Sequence, residues 1–542
     1  MPDLHDLRDV GAGRLPGARF LLLLVTGSVL VLGACSTSST LSPSEAARRL
    51  DHDMFVSGFE DIDQIYITSP DIGALTLAGL QQLSTIDPDI STRREGDTVE
   101  LLLKEHPVEN IAVNDHLDPQ HWGDLAADVL NEARQESPKI AATPPEKIYE
   151  AVFDGVVGKL DQFSHYASAA NAADLRADRD GFGGIGVTIS VEDEVVRVVS
   201  VMHYTPADRL GILRDDLITE IDGTPTTGMS QRDVVDRLRG PVGSRVALTL
   251  KRHTQDDPIQ VSLIRTLVVP ETVAYQREGD IAYFRIYRFN AGTTDTLKRS
   301  IRDAKAEIGE SLRGYVLDLR GNPGGLLSQA VSVANLFLDH GKIVSTMGRN
   351  PDSHQFFEAT EGDITDGKPI AVLIDGNSAS AAEILAAALQ DNERAVVIGS
   401  NSYGKGTVQN VVTLPNKGEI TLTWARFHAP SGYTLHHLGV LPTVCTAGQK
   451  DAGTLIAELS AGKLQGVPTA ERNSIQPDDT TAMDALRKTC PGRHEPDAID
   501  LDTAVRLLNR PNLFAEALRL AVPPVLSAGE PAAAKENVSV LP

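Results

Sequence analysis

Residues 369–389 constrain the fold most, because their hydrophobic pattern changes period within one turn. Residues 369–374 form a continuous apolar, β-branched run, which reads as a buried strand. Gly376-Asn377 turns the chain, and residues 379–389 are dense in strong helix formers. Such a strand–turn–helix unit puts Ser380 at a helix N-terminus. There, unpaired backbone N–H groups and the positive end of the helix dipole can stabilise an oxyanion beside the hydroxyl.

A serine hydroxyl needs a base, and Ser402-Tyr403-Gly404-Lys405-Gly406-Thr407-Val408-Gln409 supplies a candidate. Lysine serves only when neutral, which requires a pKa lowered from about 10.4 toward neutrality by burial or a dipole. A shift of about three units costs roughly 4 kcal/mol, which a folded core can supply. Lys405 lies between two glycines that permit close backbone approach, after the apolar run 395–398 that reads as another buried strand. Gln409 is placed to hydrogen-bond the amine and orient it. Upstream, the strand-like run 315–319 leads through Arg320 into Gly321-Asn322-Pro323-Gly324-Gly325, whose N–H groups can form the other half of an oxyanion hole. Taken singly, Ser380 reads as a helix cap and Lys405 as a solvated cation. The three segments together weaken that plainer reading.

Asp318-Leu319-Arg320 with a glycine pair, Ser378-Ala379-Ser380 ahead of Glu383-Ile384, and Tyr403-Gly404-Lys405-Gly406 with Val408-Gln409 resemble, in order, the carboxy-terminal processing peptidases of serine peptidase family S41. The resemblance implies that Ser380 rather than Ser378 is the nucleophile, Lys405 the base and Gln409 its support. It also implies oxyanion donors at the N–H groups of Ala381 and Gly324, with Gly325 the second choice, and a crotonase-like or ClpP-like α/β core. It covers roughly residues 152–444, including the closing strands around 421–427 and 439–444. Leu160-Asp161-Gln162-Phe163-Ser164-His165-Tyr166 matches the family's pattern before its next module, except that Gln162-Phe163 replaces Pro-His, and His165 reads as structural.

Residues 180–187, 195–201, 205–208 and 216–223 resemble a PDZ domain, in which a glycine-rich loop receives a peptide's terminal carboxylate and the next strand pairs with the peptide. That resemblance puts the carboxylate loop at Gly183, Gly184, Ile185 and Gly186, and the groove at Val187 and Ile189. The alternative is a glycine-rich hairpin with no ligand. Leu210 and Asp215 depart from the pattern, Asp215 standing where a glycine is usual, so the local turn is the open question.

At 542 residues, 41% hydrophobic and 23% charged, the chain is expected to divide into three or four globular domains. A formal charge of −24 repels phosphates, and no basic stripe offsets it, so nucleic acid is not an expected partner. Arg14 and Arg19 precede an apolar stretch at 20–31 that is too short to span a bilayer. Leu32-Gly33-Ala34-Cys35 resembles a bacterial lipobox, implying lipidation at Cys35, and Ser36 after it points to an outer-membrane destination in a Gram-negative cell. A plain signal peptide with an incidental cysteine is the other reading. Cys445 and Cys490 then remain, and in an oxidising periplasm they can pair, a closure worth about 4 kcal/mol in the chain-entropy model.

No phosphate loop, His-Glu-x-x-His helix or Gly-x-Ser-x-Gly elbow is present, so no cofactor or metal is expected, and His436-His437 makes a poor chelate. A Ser–His–Asp triad stays open on residue types alone, although no histidine precedes His428 in the matched core motifs. The expected fold class is a multidomain α+β and α/β chain. Its parts are a signal at 1–34, a tether at 35–44, a helical region at 45–173, a PDZ domain at 174–268, a peptidase core at 269–445, and an extension at 446–542 with a terminal helix and disordered tail. Residues 447–497 read as an insertion. The expected function is a lipid-anchored, periplasm-facing serine endopeptidase that takes protein or peptide substrates by free C-termini, with an adaptor or activator protein as a further partner. A non-catalytic PDZ scaffold serving another hydrolase is the alternative.

Overall fold

The computed structural model describes residues 42–114, 117–360 and 362–521. The chain divides into Met1–Ala46 and one compact unit, Ala47–Pro542, to which the N-terminal region, the PDZ domain and the peptidase core all belong. The lipobox, Cys35 and the C-terminal tail expected to be disordered lie outside the described residues.

Residues 47–173 are not wholly helical, contrary to the expectation from sequence. Three antiparallel strands, Ile90–Glu95, Thr98–Leu103 and His106–Ala112, form a meander between the helices Ile72–Gln81 and Pro119–Glu136. Ile90, Val99 and Leu101 share one buried core with Phe55, Phe59 and Phe153, while Ser91 and Arg93 on the alternate positions of the first strand are exposed. At the end of this region the short strand His165–Ala167 pairs antiparallel with Glu419–His428 of the peptidase core. Tyr166 stacks on Phe153 with ring centroids 5.1 Å apart, fastening this strand to the aromatic core of its own region.

The PDZ sheet runs in the order Ile259–Ile264, Arg245–Lys251, Leu217–Ile221, Val195–Val201, Val187–Glu192. Val187–Glu192 is therefore an edge strand, and the helix Gln231–Leu238 lies beside it. Ser230 and Asp233 cap that helix reciprocally. Asp215 holds φ at 70°, so the aspartate keeps the left-handed turn that the usual glycine would adopt. Leu210, the other departure, is half exposed.

The peptidase core is built on a six-stranded sheet in the order Val273–Glu278, Ile281–Ile286, Gly314–Asp318, Ile370–Ile374, Ala395–Gly399, Val444–Cys445. Its first pair is antiparallel and the remaining pairs are parallel. Gly314–Asp318, Ile370–Ile374 and Ala395–Gly399 are buried at every position, which explains their unbroken apolar runs. The helices Thr293–Ile308, Leu327–Asn335 and Ala381–Asp391 pack their apolar faces into the same core. Because these three strands are adjacent and parallel, the turns leaving their C-terminal ends meet at one place, where open α/β sheets present their sites.

Residues 447–497 hold the helices Ala452–Ser460, Thr469–Ser474 and Thr480–Arg487; Ala498–Leu508 follows where the terminal helix is expected, but it is not the last, since the helix Pro511–Arg519 comes after it. Cys445 and Cys490 form a disulfide, with Cα atoms 5.9 Å apart.

Candidate active site

The turn after Ile370–Ile374 delivers Ser380 with φ 56° and ψ −114°, a conformation that is strained for a side-chain-bearing residue and needs support from its surroundings. The support is specific. The Ala379 N–H donates to the Asn322 carbonyl at 2.9 Å, and the Ser380 N–H donates to Glu383 Oε2 at 2.7 Å. Ser378 is fully buried; its hydroxyl donates to the Leu319 carbonyl and accepts from the Asp375 N–H, so it is engaged in fixing the turn.

Gly324 comes from the end of Gly314–Asp318 and has φ 101°. A β-carbon there would stand 2.8 Å from Ser380 Cβ and 3.0 Å from the Ala381 nitrogen, so only glycine lets this turn approach the serine. The Gly324 N–H, expected as an oxyanion donor, instead donates to Asn322 Oδ1 at 2.8 Å, while Asn322 Nδ2 donates to the Ile286 carbonyl. Gly324 thus adjoins Ser380 with its donor engaged in this conformation. Ala381, the other expected donor, opens the helix Ala381–Asp391 immediately after the serine.

Lys405 leaves the end of Ala395–Gly399 on a loop without regular structure. Burial lowers its pKa from the ordinary lysine value, against the opposing pull of the Glu383 and Asp161 carboxylates. Its ammonium lies over the Phe163 ring, 5.0 Å from the centroid. Phe163 is one of the two residues at which this chain departs from the family's Pro-His. Gln409 lines the same cleft, but its amide donates to Thr407 Oγ1 at 2.9 Å and Thr423 Oγ1 at 3.3 Å, so the expected hydrogen bond to the lysine amine is not made here.

Glu383 ties the pieces together, a role that its sequence motif does not announce. It is fully buried and accepts from four donors: the Ser380 N–H, the Ser402 hydroxyl at 2.5 Å, the Gly404 N–H at 2.7 Å and the Lys405 N–H at 3.0 Å. Burial pushes its carboxyl above the usual carboxylate range, and the four donors draw it back. One side chain thereby fixes the backbone of both Ser380 and Lys405. Its position three residues after a helix-capping serine was the available signal, although the partners at 402–405 come from another strand end.

Ser380, Lys405, Gln409, Gly324 and Ala381 line one cleft of about 380 Å³, walled by apolar side chains including Leu327, Ile384, Val408 and Phe427. His165 stands at its rim with Nδ1 3.1 Å from the Phe163 carbonyl oxygen, in keeping with a structural role. His428 does not line this cleft; it lies in the strand Glu419–His428, where burial lowers its pKa. Among the described residues no cluster of histidine, cysteine, aspartate or glutamate is arranged to hold a metal ion.

In the PDZ domain, Phe182–Gly184 pairs with Thr266–Val268 as a two-stranded ladder, and the Gly183 carbonyl accepts from the Gly240 N–H at 2.9 Å. Gly183 and Gly184 are thus drawn into this long-range ladder, and the loop that meets the edge strand narrows to Ile185 and Gly186. Gly186 has φ 83°, and a β-carbon there would meet Thr205 at 2.3 Å. Ile185 and Ile189 are buried with Val234 and Leu238, whereas Val187 is partly exposed at the start of the edge strand.

A hydroxyl held in strain at a helix N-terminus shares one cleft with a desolvated lysine, an arrangement that fits a hydrolase of the serine type. The model of peptidase family S41 matches residues 280–446, and that of a PDZ domain matches residues 197–252. A carboxy-terminal-processing protease of Bartonella bacilliformis is 42% identical over 301 residues, covering 55% of this chain and 69% of that one. A probable CtpA-like serine protease of Staphylococcus haemolyticus is 32% identical over 333 residues, covering 61% of this chain and 64% of that one. Among solved structures, a photosystem II D1 C-terminal processing protease aligns over 73% of this chain and 92% of its own, at 23% identity and TM-score 0.38. The PDZ domain of a carboxy-terminal protease from Vibrio cholerae, solved with a peptide, aligns over 16% of this chain and 96% of its own, at 26% identity and TM-score 0.15. The chain belongs to peptidase family S41, among the carboxy-terminal-processing serine proteases that carry a PDZ domain.

Proposed function

We propose that this protein is a cell-envelope endopeptidase that selects substrates by a free C-terminus and cleaves them with a Ser380–Lys405 pair through an acyl-enzyme. The observation that carries this reading is the Glu383 carboxylate, which accepts from the backbone of both residues and so holds the two loops together. Neutral Lys405 takes the proton of Ser380, whose Oγ attacks the scissile carbonyl carbon. The resulting oxyanion faces the Ala381 N–H, with a second donor from Gly324 or Gly325 once the Gly324–Asn322 bond is exchanged. The tetrahedral intermediate collapses, Lys405 returns the proton to the leaving amine, and water activated by the same lysine hydrolyses the ester. The Asp161 carboxylate opposes the neutral form of the lysine, and Gln409 lines the same cleft.

The unpaired edge of Val187–Glu192 supports tail recognition, since an extended peptide adds there as a further strand with its carboxylate at Ile185-Gly186. Lipidation at Cys35 would tether the enzyme to the outer membrane, facing the periplasm, where the Cys445–Cys490 disulfide would persist. An adaptor protein that brings substrates to the PDZ domain is compatible with the same edge.

The test is cleavage of an unstructured reporter with an apolar, uncapped C-terminus by a soluble form beginning after Cys35, beside Ser380→Ala and Lys405→Ala. Turnover by the parent alone supports the assignment. Equal cleavage by all three refutes the site, and tail binding without turnover by any of them favours the scaffold. Palmitate labelling that vanishes in Cys35→Ala checks the anchor.

A further inference from the structure

The segment 487–494 lies beyond the matched residues 280–446, yet it bonds to the turn that carries Ser380 and to the chain that flanks the Lys405 loop. On the serine side, the Gly376 N–H donates to the Arg493 carbonyl at 2.6 Å, and Asn377 Nδ2 donates to the His494 carbonyl at 2.7 Å. His494 Nδ1 sits 2.9 Å from Asn377 Oδ1, so the turn that carries Ser380 is held along its outer side by two consecutive residues. The Arg493 N–H donates to Ser400 Oγ at 2.9 Å, where the lysine loop begins.

On the lysine side, Arg487 at the end of the helix Thr480–Arg487 donates from Nη1 to the carbonyls of Leu438 at 2.9 Å and His437 at 3.2 Å. The chain at 436–438 is the wall against which the lysine loop rests. The His437 N–H donates to the Gly404 carbonyl at 2.9 Å, and a β-carbon on Gly406 would meet the His436 nitrogen at 2.0 Å. Between these two grips sits Cys490, which is buried and joined to Cys445 at the end of the outermost parallel strand. Arg493 also reaches Asp500 at 2.7 and 2.8 Å, and Asp500 in turn accepts from Arg320 at 3.2 Å.

Residues 400–406 form no regular structure, so tertiary bonds alone set where Lys405 stands. We infer that segment 487–494 is a positioning clamp for the catalytic pair. Arg487 sets the lysine side, the Arg493-His494 backbone sets the serine side, and the Cys445–Cys490 disulfide pins the segment to the sheet. The inference rests on the proposed Ser380–Lys405 reading, and it makes Arg487 a positioning residue that touches neither substrate nor reacting atom.

The experiment compares the parent with Arg487→Met, Arg487→Lys and the paired change Cys445→Ala with Cys490→Ala, using steady-state cleavage of the reporter and amide hydrogen exchange. A displacement of about 1 Å at a reacting pair costs on the order of 10²-fold. The clamp therefore predicts kcat lowered by about that factor in Arg487→Met and in the cysteine pair, with KM within about twofold. It predicts most of the rate restored in Arg487→Lys, which keeps a donor for the two carbonyls. Exchange should rise at 376–381 and 402–406 and stay at the parental level in the PDZ sheet and in Gly314–Asp318. Parental kcat in Arg487→Met and the cysteine pair would overturn the clamp, as would exchange rising throughout the core, which would make the segment a general stabiliser. If Ser380→Ala cleaves as the parent does, the peptidase reading fails separately, and local exchange at the two loops then decides the clamp.

Discussion

Around Ser380 the polar groups that set the geometry are side chains taken out of water: Glu383, Ser378, Asn322 and Asp375 are all fully buried. Along Val187–Glu192 the polar groups on offer are backbone donors and acceptors at an open sheet edge, and the buried side chains nearby are apolar. The cleft depends on residue identity, because each buried polar atom without its partner costs about 1–3 kcal/mol. The PDZ edge depends on backbone shape, because any extended peptide carries the same ladder of groups. Chemistry and recognition in this chain therefore fail to different kinds of substitution.

The largest effect expected is on the chemical side. Ser380→Ala or Lys405→Ala should lower kcat/KM by about 10³-fold or more while leaving the affinity of the PDZ domain for a tail peptide unchanged, as read by fluorescence anisotropy. A matching loss of tail affinity would merge the two regions into one functional unit. Glu383→Ala orphans four donors, so it should lower kcat by about 10²-fold and unfolding stability by about 3–5 kcal/mol in a denaturant titration. Parental stability would mean that water replaces the carboxylate freely and that the cleft is less rigid than its four bonds to Glu383 imply.

Shape is the matching lever in the PDZ domain. Gly186→Ala places a β-carbon against Thr205 at a positive φ, so tail-peptide affinity should fall by about tenfold, while cleavage of a C-terminally amidated reporter stays at its parental rate. The smallest change expected is electrostatic. The Asp161 carboxylate favours the Lys405 ammonium, so Asp161→Asn lowers the lysine pKa further. Since the neutral amine is the active form, the acid limb of the kcat/KM profile should move to lower pH, by about one unit at most. A shift toward higher pH would break the assignment of that limb to Lys405.

The three central strands were legible because Gly314–Asp318, Ile370–Ile374 and Ala395–Gly399 are buried on both faces, and double burial leaves an unbroken apolar run. The meander at 90–112 was not, because Ile90-Ser91-Thr92-Arg93-Arg94-Glu95 shows water a polar face and carries only a single large apolar residue. Ser380, Lys405 and Gln409 could be named from short ordered motifs, and the structure gathers all three in one cleft. The role of Glu383 could not, since its partners are contributed by a loop 19 to 22 residues further along. The Asn322–Gly324 bond was hidden for a related reason: a side chain claiming a neighbour's N–H is a fact of conformation rather than composition. Cys445 and Cys490 were legible as a possible pair, but nothing in residues 447–497 signalled that Arg487, Arg493 and His494 bond to the chain around the serine turn and the lysine loop.

The bonds from Asn377 to His494 span 117 positions of the chain, and those that pair His165–Ala167 with the strand at 419–421 span more than twice as many. At about 5–20 residues per second, the ribosome completes His494 roughly 6–23 s after Asn377. Throughout that interval the serine turn exists without its outer support. The outer support of the serine turn thus becomes available only after Ser380, Lys405 and Gln409 are already in the growing chain.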